Sequence, residues 1–255
     1  MPAHLALEDY VATLTKSGAA LRDAANDAGL RATVPTCPDW TVTDLVVHQG
    51  TVHRWATAHL RGDSDHDTTA SHAEGMAAPD PVSWFSAGLD TLVETLHATP
   101  DDAEAAVFLR DAPPPRRFWA RRQAHETTMH SVDALSAALG RWPTHSDAKI
   151  APDLAADGID ELLCGFIPRG KSRLRSAEPY TILVRSDDTG HTWSVRVSQD
   201  PVVTTVGESG APDSTFSGTA VQLYLTLWNR ADDAVVEGPT AILEQWRSQT
   251  PINWG

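Results

Sequence analysis

The sequence predicts an α+β protein of two domains: an amphipathic four-helix bundle, then a smaller α+β domain with a mainly antiparallel sheet. Long segments with helical periodicity fill the chain up to Gly140, and strand-like segments rich in β-branched residues come only later. The length of 255 residues is enough for two ordinary domains. We expect the boundary near residues 141–150, and we define the domains as residues 1–145 and 146–255.

The first predicted helix spans residues 4–29, where apolar side chains recur with helical spacing and Gly29 marks the end. Pro35 and Pro38 then interrupt the helical pattern and favour an extended chain. A short non-helical segment is therefore expected to join the first helix to the second.

The second predicted helix begins after Thr41, a favourable N-cap residue, with Asp44 three residues later as its capping-box partner. We expect this helix to run over about residues 42–61. Apolar and special side chains recur in it every three to four residues, and His48 lies on the stripe that they form. The side chain of His48 is therefore predicted to face the bundle interior.

Two further helices complete the predicted bundle, one over about residues 81–98 and one over about residues 116–140. The polar, small and acidic segment 62–80 is predicted to be a loop. Four long amphipathic helices with moderate loops are typical of a four-helix bundle, in which functional sites are built from inward side chains of facing helices.

The second domain is predicted to begin with a helix over residues 152–166 and to end with helices over residues 219–230 and 239–247. Between them, alternating segments rich in β-branched residues predict strands. These strands are expected over residues 180–185, 192–197, 202–206 and, as a short element, 213–216.

Charge and composition exclude several partner classes. The net charge is −14, from 34 acidic and 20 basic side chains, and nucleic acid or an anionic membrane surface would require a basic footprint. No apolar run approaches the roughly 18 residues of a membrane helix. The two cysteines, Cys37 and Cys164, are far apart, so no disulfide framework is expected. We therefore expect a cytoplasmic protein without nucleic-acid or membrane partners.

One segment of the fourth predicted helix, ARRQAHETTMHSVD (Ala120–Asp133), carries candidate metal ligands. Glu126 and His130 are four residues apart, so they project from one helix face, one turn apart. Two ligands are too few for a tight site, and His48 is the best candidate for a third. Two imidazoles and one carboxylate suit Zn²⁺ or another divalent first-row metal and leave a coordination position open.

These residues also have simpler interpretations. A buried histidine is often only a hydrogen-bonded core residue, and a glutamate and histidine four apart are often an ordinary surface pair. The chain contains 11 histidines, so coincidence is easy. His53 and His125 are nearby alternatives, but each is out of phase with its neighbour's helix face.

Three motifs in order resemble the mycothiol-dependent maleylpyruvate isomerase family over nearly the whole chain. The motifs are CPDWTVTDLVVHQGTVHRW, FWARRQAHETTMHSVDAL, and TFSGTAVQLYLTLWNR with a late EGPTAILEQW. The resemblance implies a DinB-like metal-binding bundle followed by the C-terminal domain of that family. It also implies a divalent metal, usually zinc, on His48, Glu126 and His130, with mycothiol as cofactor or co-substrate.

The implied chemistry depends on a thiolate. A free thiol has a pKa near 8.5, and a metal deprotonates a thiol that binds to it. In isomerisation of a maleylpyruvate-like compound, the thiolate adds to a conjugated double bond, the bond rotates and the thiol leaves. In S-transfer, the thiolate attacks a small electrophile and the conjugate departs.

The sequence departs from the family pattern beside two of its motifs. Many relatives have Gly after the Cys-Pro pair, where this chain has Asp39, and many have Leu-Gly-Gly after the motif histidine, where this chain has Gln49-Gly50-Thr51. These departures leave the metal ligands in place and concern the substrate. Gln49, one residue from a predicted ligand, is a candidate cofactor-binding residue.

Arginines are natural partners for a carboxylate substrate or a polar cofactor. Arg122 lies one turn before Glu126 and is a candidate catalytic or cofactor-binding residue, with a structural salt bridge as the alternative. The resemblance implies a functional arginine in the second domain, and Arg230 is the matching position. Asp133 is a candidate acceptor for an imidazole N–H of His130. Three tryptophans are expected in the core or in a pocket wall: Trp40, Trp55 and Trp119.

Three functions compete at this point. The first is an enzyme, an isomerase or S-transferase whose partners are a small-molecule thiol and a small electrophilic or carboxylate substrate. The second is a non-catalytic metal- or ligand-binding or regulatory protein. The third is a structural bundle with a buried hydrogen-bond network. An open metal position would favour the first, and four protein ligands would favour the second. We expect a monomer or weak oligomer.

Overall fold

The computed structural model describes residues 5–109, 112–170 and 172–250. The described chain divides into two compact units, one formed by residues 5–108 and 112–143, the other by residues 144–250 together with Leu109. The first unit is helical with a small hairpin, and the second combines helices with a sheet that is mainly antiparallel. The predicted α+β fold class is confirmed.

The first unit is a bundle of long helices with one short additional helix. Its elements in chain order are α1 (Leu7–Ala28), β1 (Thr33–Val34), β2 (Cys37–Thr41), α2 (Val42–Arg61), α3 (Thr68–Ala77), α4 (Pro81–Ala98) and α5 (Pro115–Leu139). Helix α1 packs mainly on α5, and α2 packs on α4 and α5. Residue 4, the first of the predicted first helix, lies outside the described residues.

One local prediction for this unit is wrong. The predicted loop 62–80 contains α3, which Asp67 caps by accepting hydrogen bonds from the backbone N–H groups of Thr69 and Ala70. This helix buries few of its side chains, so its sequence lacks the apolar stripe that predicts a helix. The extended chain predicted around Pro35 and Pro38 is confirmed, and its two strands pair as an antiparallel hairpin, β1–β2.

The start of α2 is as predicted. The Asp44 backbone N–H donates to Thr41 Oγ1 at 3.3 Å, and the Thr41 backbone N–H donates to Asp44 Oδ2 at 2.8 Å. This capping box fixes where α2 begins and therefore which side chains face α5. Because His48 lies in the second turn of α2, its direction depends on this start.

Gly50 allows α2 and α4 to pack closely. A Cβ at position 50 would lie 2.4 Å from Trp84 Cζ3 and 3.1 Å from the backbone Cα of Phe85.

We expect Gly50→Ala to lower the free energy of unfolding by about 1 kcal/mol. The gain in helix propensity is about 1 kcal/mol, whereas overpacking of this kind costs about 1–3 kcal/mol. Urea unfolding measures the change. Gly170→Ala is the control, because a Cβ there meets no described atom within 4 Å. An unchanged or more stable Gly50→Ala protein would contradict the tight contact.

The second unit contains a five-stranded sheet with helices. Its elements are α6 (Pro152–Asp160), a π-helical turn (Glu161–Phe166), β3 (Tyr180–Ser186), β4 (Thr192–Val197), β5 (Val203–Val206), β6 (Ser214–Gly218), α7 (Ala220–Leu227), β7 (Val235–Glu237) and α8 (Thr240–Gln249). The strand order is β5-β4-β3-β6-β7. Among these described strands β3 and β6 pair in parallel, and the other three pairs are antiparallel.

The predicted elements of this unit are present with shifted ends. The helix predicted over residues 152–166 changes from α to π hydrogen bonding at Glu161. Helix α7 ends at Leu227, earlier than predicted, and the turn after it contains Asn229 with φ 57°. Strand β7 was not predicted, because three residues carry too little pattern. No helix among the described residues is long and apolar enough to cross a membrane.

Candidate metal centre

Helices α2 and α5 bring three potential metal ligands together inside the bundle. His48 Nε2 lies 3.7 Å from Glu126 Oε1, and His130 Nε2 lies 3.4 Å from the same oxygen. The three donor atoms all lie within 4.8 Å of one another. The side chains are 17%, 3% and 1% exposed in the order His48, Glu126, His130. The residues that the sequence singled out by helical spacing therefore converge.

These separations fit a single tetrahedral ion. Zinc binds imidazole nitrogen and carboxylate oxygen at about 2.0–2.2 Å, which places neighbouring ligand atoms about 3.4 Å apart. The same three atoms are buried and have no hydrogen-bond partner in the described part of the chain. Such unsatisfied buried atoms are costly, and a cation between them would satisfy all three.

Arg122 determines how Glu126 presents its carboxylate. Arg122 Nη2 donates to Glu126 Oε2 at 2.8 Å, and both side chains are almost fully buried. Oε2 thus faces the guanidinium, while Oε1 faces the two imidazoles. Burial alone would raise the pKa of Glu126, but the neighbouring imidazoles of His130 and His48 and the charge of Arg122 outweigh burial and hold the pKa well below 4.5. Glu126 is therefore a carboxylate, the form that binds metals.

The two imidazoles differ in their electrostatic environment. Burial lowers the pKa of His48 below 6.5, and the nearby Glu126 carboxylate offsets only part of this. Burial would also lower the pKa of His130, but the hydrogen bond to Asp133 and the nearby Glu126 carboxylate outweigh burial and raise the pKa to about 9. A metal ion binding to His130 Nε2 must therefore displace a proton there.

Asp133 and Trp40 surround the two imidazoles. His130 Nδ1 lies 2.9 Å from Asp133 Oδ2, so the imidazole N–H donates to this carboxylate. His130 Nε2 therefore faces the other two candidate ligands. The Trp40 indole stacks on the His130 ring at 5.9 Å between centroids and also contacts the His48 ring at 4.9 Å. Sequence spacing suggested the acceptor role of Asp133 but gave no signal for this stacking.

Gln49 and His53 form a second buried polar group with Thr127. Gln49 Nε2 donates to Thr127 Oγ1 at 3.0 Å and lies 2.9 Å from His53 Nε2, which is itself 2.9 Å from Thr127 Oγ1. All three residues are buried. The Gln49 amide thus faces the bundle interior, and its role in cofactor binding stays a prediction. These contacts indicate that His53 is a hydrogen-bonded core residue.

We expect His53 to destabilise the protein in acid. Burial lowers the pKa of His53 from 6.5 to about 3. Between these values the unfolded chain binds a proton that the folded chain does not, so stability falls as the pH drops from about 6.5 towards 3, by up to about 1.4 kcal/mol per unit. Between pH 6 and pH 4, the free energy of unfolding of His53→Gln, measured in urea, should depend less steeply on pH than that of the wild type. The two slopes should differ by up to about 1.4 kcal/mol per pH unit.

The exposed histidine His97 provides the matched control for this measurement, as His97→Gln. If His53→Gln and His97→Gln showed the same pH dependence of the free energy of unfolding, the buried neutral state of His53 would be contradicted.

The remaining predicted residues are Arg230, Trp55 and Trp119. Arg230 is in the second unit, follows α7 and is buried, with Nη1 donating to the Trp228 carbonyl at 3.1 Å, and its catalytic role stays a prediction. Trp55 and Trp119 pack on each other at 5.0 Å between ring centroids, in an aromatic cluster that includes Phe108.

The described fold and site define a class: a helix bundle with a His–Glu–His cluster, together with an α+β unit. The family model of the mycothiol maleylpyruvate isomerase (MDMPI) N-terminal domain matches residues 11–135. The family model of the MDMPI C-terminal domain matches residues 153–245. The chain therefore belongs to the mycothiol-dependent maleylpyruvate isomerase family.

Solved structures show the same fold. The crystal structure of the mycothiol-dependent maleylpyruvate isomerase is 16% identical, with 92% of this chain and 95% of that chain covered and a TM-score of 0.61. A histidine-to-alanine mutant of that isomerase gives 15% identity, the same coverage and a TM-score of 0.61. No curated protein matches this chain in sequence.

Proposed function

We propose that the protein is a metal-dependent enzyme that uses mycothiol, with His48, Glu126 and His130 as ligands of a divalent metal. The observation that carries the proposal is the convergence of His48 Nε2, Glu126 Oε1 and His130 Nε2, all buried and all without a hydrogen-bond partner within the described residues. Zinc is the first candidate, because the donor set is two imidazoles and one carboxylate.

The count of three candidate ligands among the described residues favours a catalytic over a structural metal site. Structural zinc sites are closed by four protein ligands, whereas catalytic sites use three and keep a position open. When bound, the metal would supply an acidic centre that keeps the sulfur of a coordinated thiol deprotonated at neutral pH. The second unit and the family membership support mycothiol as that thiol.

The charges of the site suit an anionic sulfur. Arg122 neutralises Glu126 in a buried pair, and the two imidazoles are neutral when they act as ligands. The Arg122–Glu126 pair would therefore add no net charge, and the Asp133 carboxylate behind His130 would add one negative charge. A divalent ion would keep a net positive charge in these surroundings, which would attract a thiolate. In this proposal Arg122 acts by holding Glu126, and its position beside the site also makes it a candidate to contact the thiol.

The proposed reaction is the cis–trans isomerisation of a maleylpyruvate-like compound, as the name of the related enzyme suggests. Arg230 is the candidate partner for a substrate carboxylate, and Gln49 for the cofactor. S-transfer to a small electrophile would begin from the same thiolate. The two reactions differ in their use of thiol: an isomerase returns mycothiol unchanged, whereas a transferase consumes one thiol for each product. Free-thiol measurement during turnover separates them.

Calorimetric titration with mycothiol tests the proposal. The zinc-loaded protein should bind mycothiol, and the protein stripped by a chelator should bind it much more weakly. S-methyl mycothiol is the matched control, because it keeps the sugar groups but has no ionisable thiol. Equal binding of mycothiol with and without zinc would overturn the metal–thiolate proposal. A protein that binds zinc but does not bind mycothiol would favour the non-catalytic alternative.

A further inference from the structure

The hairpin β1–β2 contacts the residue behind His130 through a side-chain hydrogen bond. Thr36, in the turn between the strands, donates its hydroxyl to Asp133 Oδ1 at 2.6 Å. Thr36 Oγ1 also lies 3.0 Å from Ser136 Oγ. Thr36, Asp133 and Ser136 are all buried, so these hydrogen bonds are shielded from water.

The hydroxyl protons can be assigned by counting donors. A carboxylate only accepts hydrogen bonds, so the single proton of Thr36 goes to Asp133. Ser136 Oγ then donates either to Thr36 or to the Asp133 backbone carbonyl, 2.7 Å away. Both oxygens of the Asp133 carboxylate are thus engaged, Oδ1 by Thr36 and Oδ2 by the His130 imidazole.

We propose that Thr36 is a positioning residue for the metal centre: its hydroxyl fixes the Asp133 carboxylate, and Asp133 in turn fixes the ring orientation and tautomer of His130. This inference rests on the proposed function. Without the Thr36 hydrogen bond, the carboxylate can rotate about its terminal torsion, which has broad minima, and the imidazole loses a fixed acceptor. In this proposal Thr36 acts on His130 only through Asp133.

A second contact of the same hairpin supports the assignment. Trp40, on β2, stacks on His130 and contacts His48, so the hairpin approaches the ligands both through a ring face and through a hydrogen bond. The turn itself is held from the far end of α5, where Trp142 Nε1 donates to the Pro35 carbonyl at 3.0 Å. The position of Thr36 is therefore determined by contacts on both sides.

The test compares Thr36→Val, which has the same shape without the hydroxyl, with Thr36→Ser, which keeps the hydroxyl. Zinc affinity is measured by competition with a chelator, and the visible spectrum of the Co²⁺-loaded protein reports ligand geometry. We expect Thr36→Val to bind zinc roughly tenfold more weakly and to change the cobalt spectrum, and Thr36→Ser to restore both, because partners behind metal ligands affect affinity by about 10–100-fold. The control is Thr95→Val. Thr95 is also buried, and its hydroxyl donates to the Thr91 carbonyl within α4.

Asp133→Asn is the second variant and keeps the inference testable if Thr36→Val does not fold. It should weaken zinc binding by about 10–100-fold, since it removes the charged acceptor of the His130 N–H. Wild-type zinc affinity and cobalt spectrum in Thr36→Val would overturn the role of Thr36 alone. A wild-type protein that binds neither zinc nor cobalt would overturn the metal centre itself and this inference with it.

Discussion

Replacing His48 with alanine is expected to remove zinc binding while leaving the bundle folded. His48 supplies one of the three candidate ligands found among the described residues. Its loss should weaken zinc affinity by more than about 100-fold, because even residues behind the ligands change affinity by about 10–100-fold. The fold should survive, since His48 Nε2 has no hydrogen-bond partner among the described residues and the side chain is partly exposed. We expect the free energy of unfolding of the zinc-free protein to change by only about 1 kcal/mol.

The measurement is zinc content per chain after dialysis, with circular dichroism as the check on folding. His97→Ala provides the control, because His97 is an exposed histidine on a neighbouring helix of the same unit. Wild-type zinc content in folded His48→Ala would show that the ion is held elsewhere. Glu126→Ala and His130→Ala should lose zinc in the same way.

The second large effect is expected from Arg122→Met in the zinc-free protein. Arg122 and Glu126 are a buried ion pair, and removing one partner leaves the other charge in a poorly solvated place. Such a loss typically costs about 3–5 kcal/mol, and we expect a value near the lower end because His130 also faces the Glu126 carboxylate. Zinc should reduce this cost, because the ion supplies positive charge next to Glu126.

Urea unfolding with a chelator and with saturating zinc tests this expectation. Arg22→Met is the matched control: Arg22 pairs with Asp23 on the surface, and the loss of such a pair changes stability by about 0.5 kcal/mol or less. A zinc-free Arg122→Met protein as stable as the wild type would contradict the expectation that the loss of Arg122 leaves the Glu126 charge buried without its partner.

The sequence predicted those features that local periodicity and capping encode. The capping box of Thr41 and Asp44 predicted the start of α2, and the four-residue spacing of Glu126 and His130 predicted their shared face. Helical spacing alone also placed His48 on the inward side. These features depend on residues close together in the chain, where the geometry of a helix is the same in every protein.

Other features depend on contacts between distant residues and could not be predicted. Thr36 and Asp133 are 97 residues apart, and no periodicity links a hairpin turn to the last bundle helix. The Trp40 stacking is of the same kind. Helix α3 escaped prediction because it is short and mostly exposed, so it lacks the apolar stripe by which helices are recognised.

Zinc X-ray absorption of the loaded protein, before and after addition of mycothiol, tests the metal–thiolate site most directly. The account predicts one zinc per chain with only nitrogen and oxygen ligands at about 2.0–2.2 Å, and a new sulfur ligand at about 2.3 Å once mycothiol is added. Sulfur ligation before addition would place a cysteine of the chain at the ion, and no sulfur after addition would exclude a bound thiolate. Either result would contradict the proposed metal–thiolate chemistry.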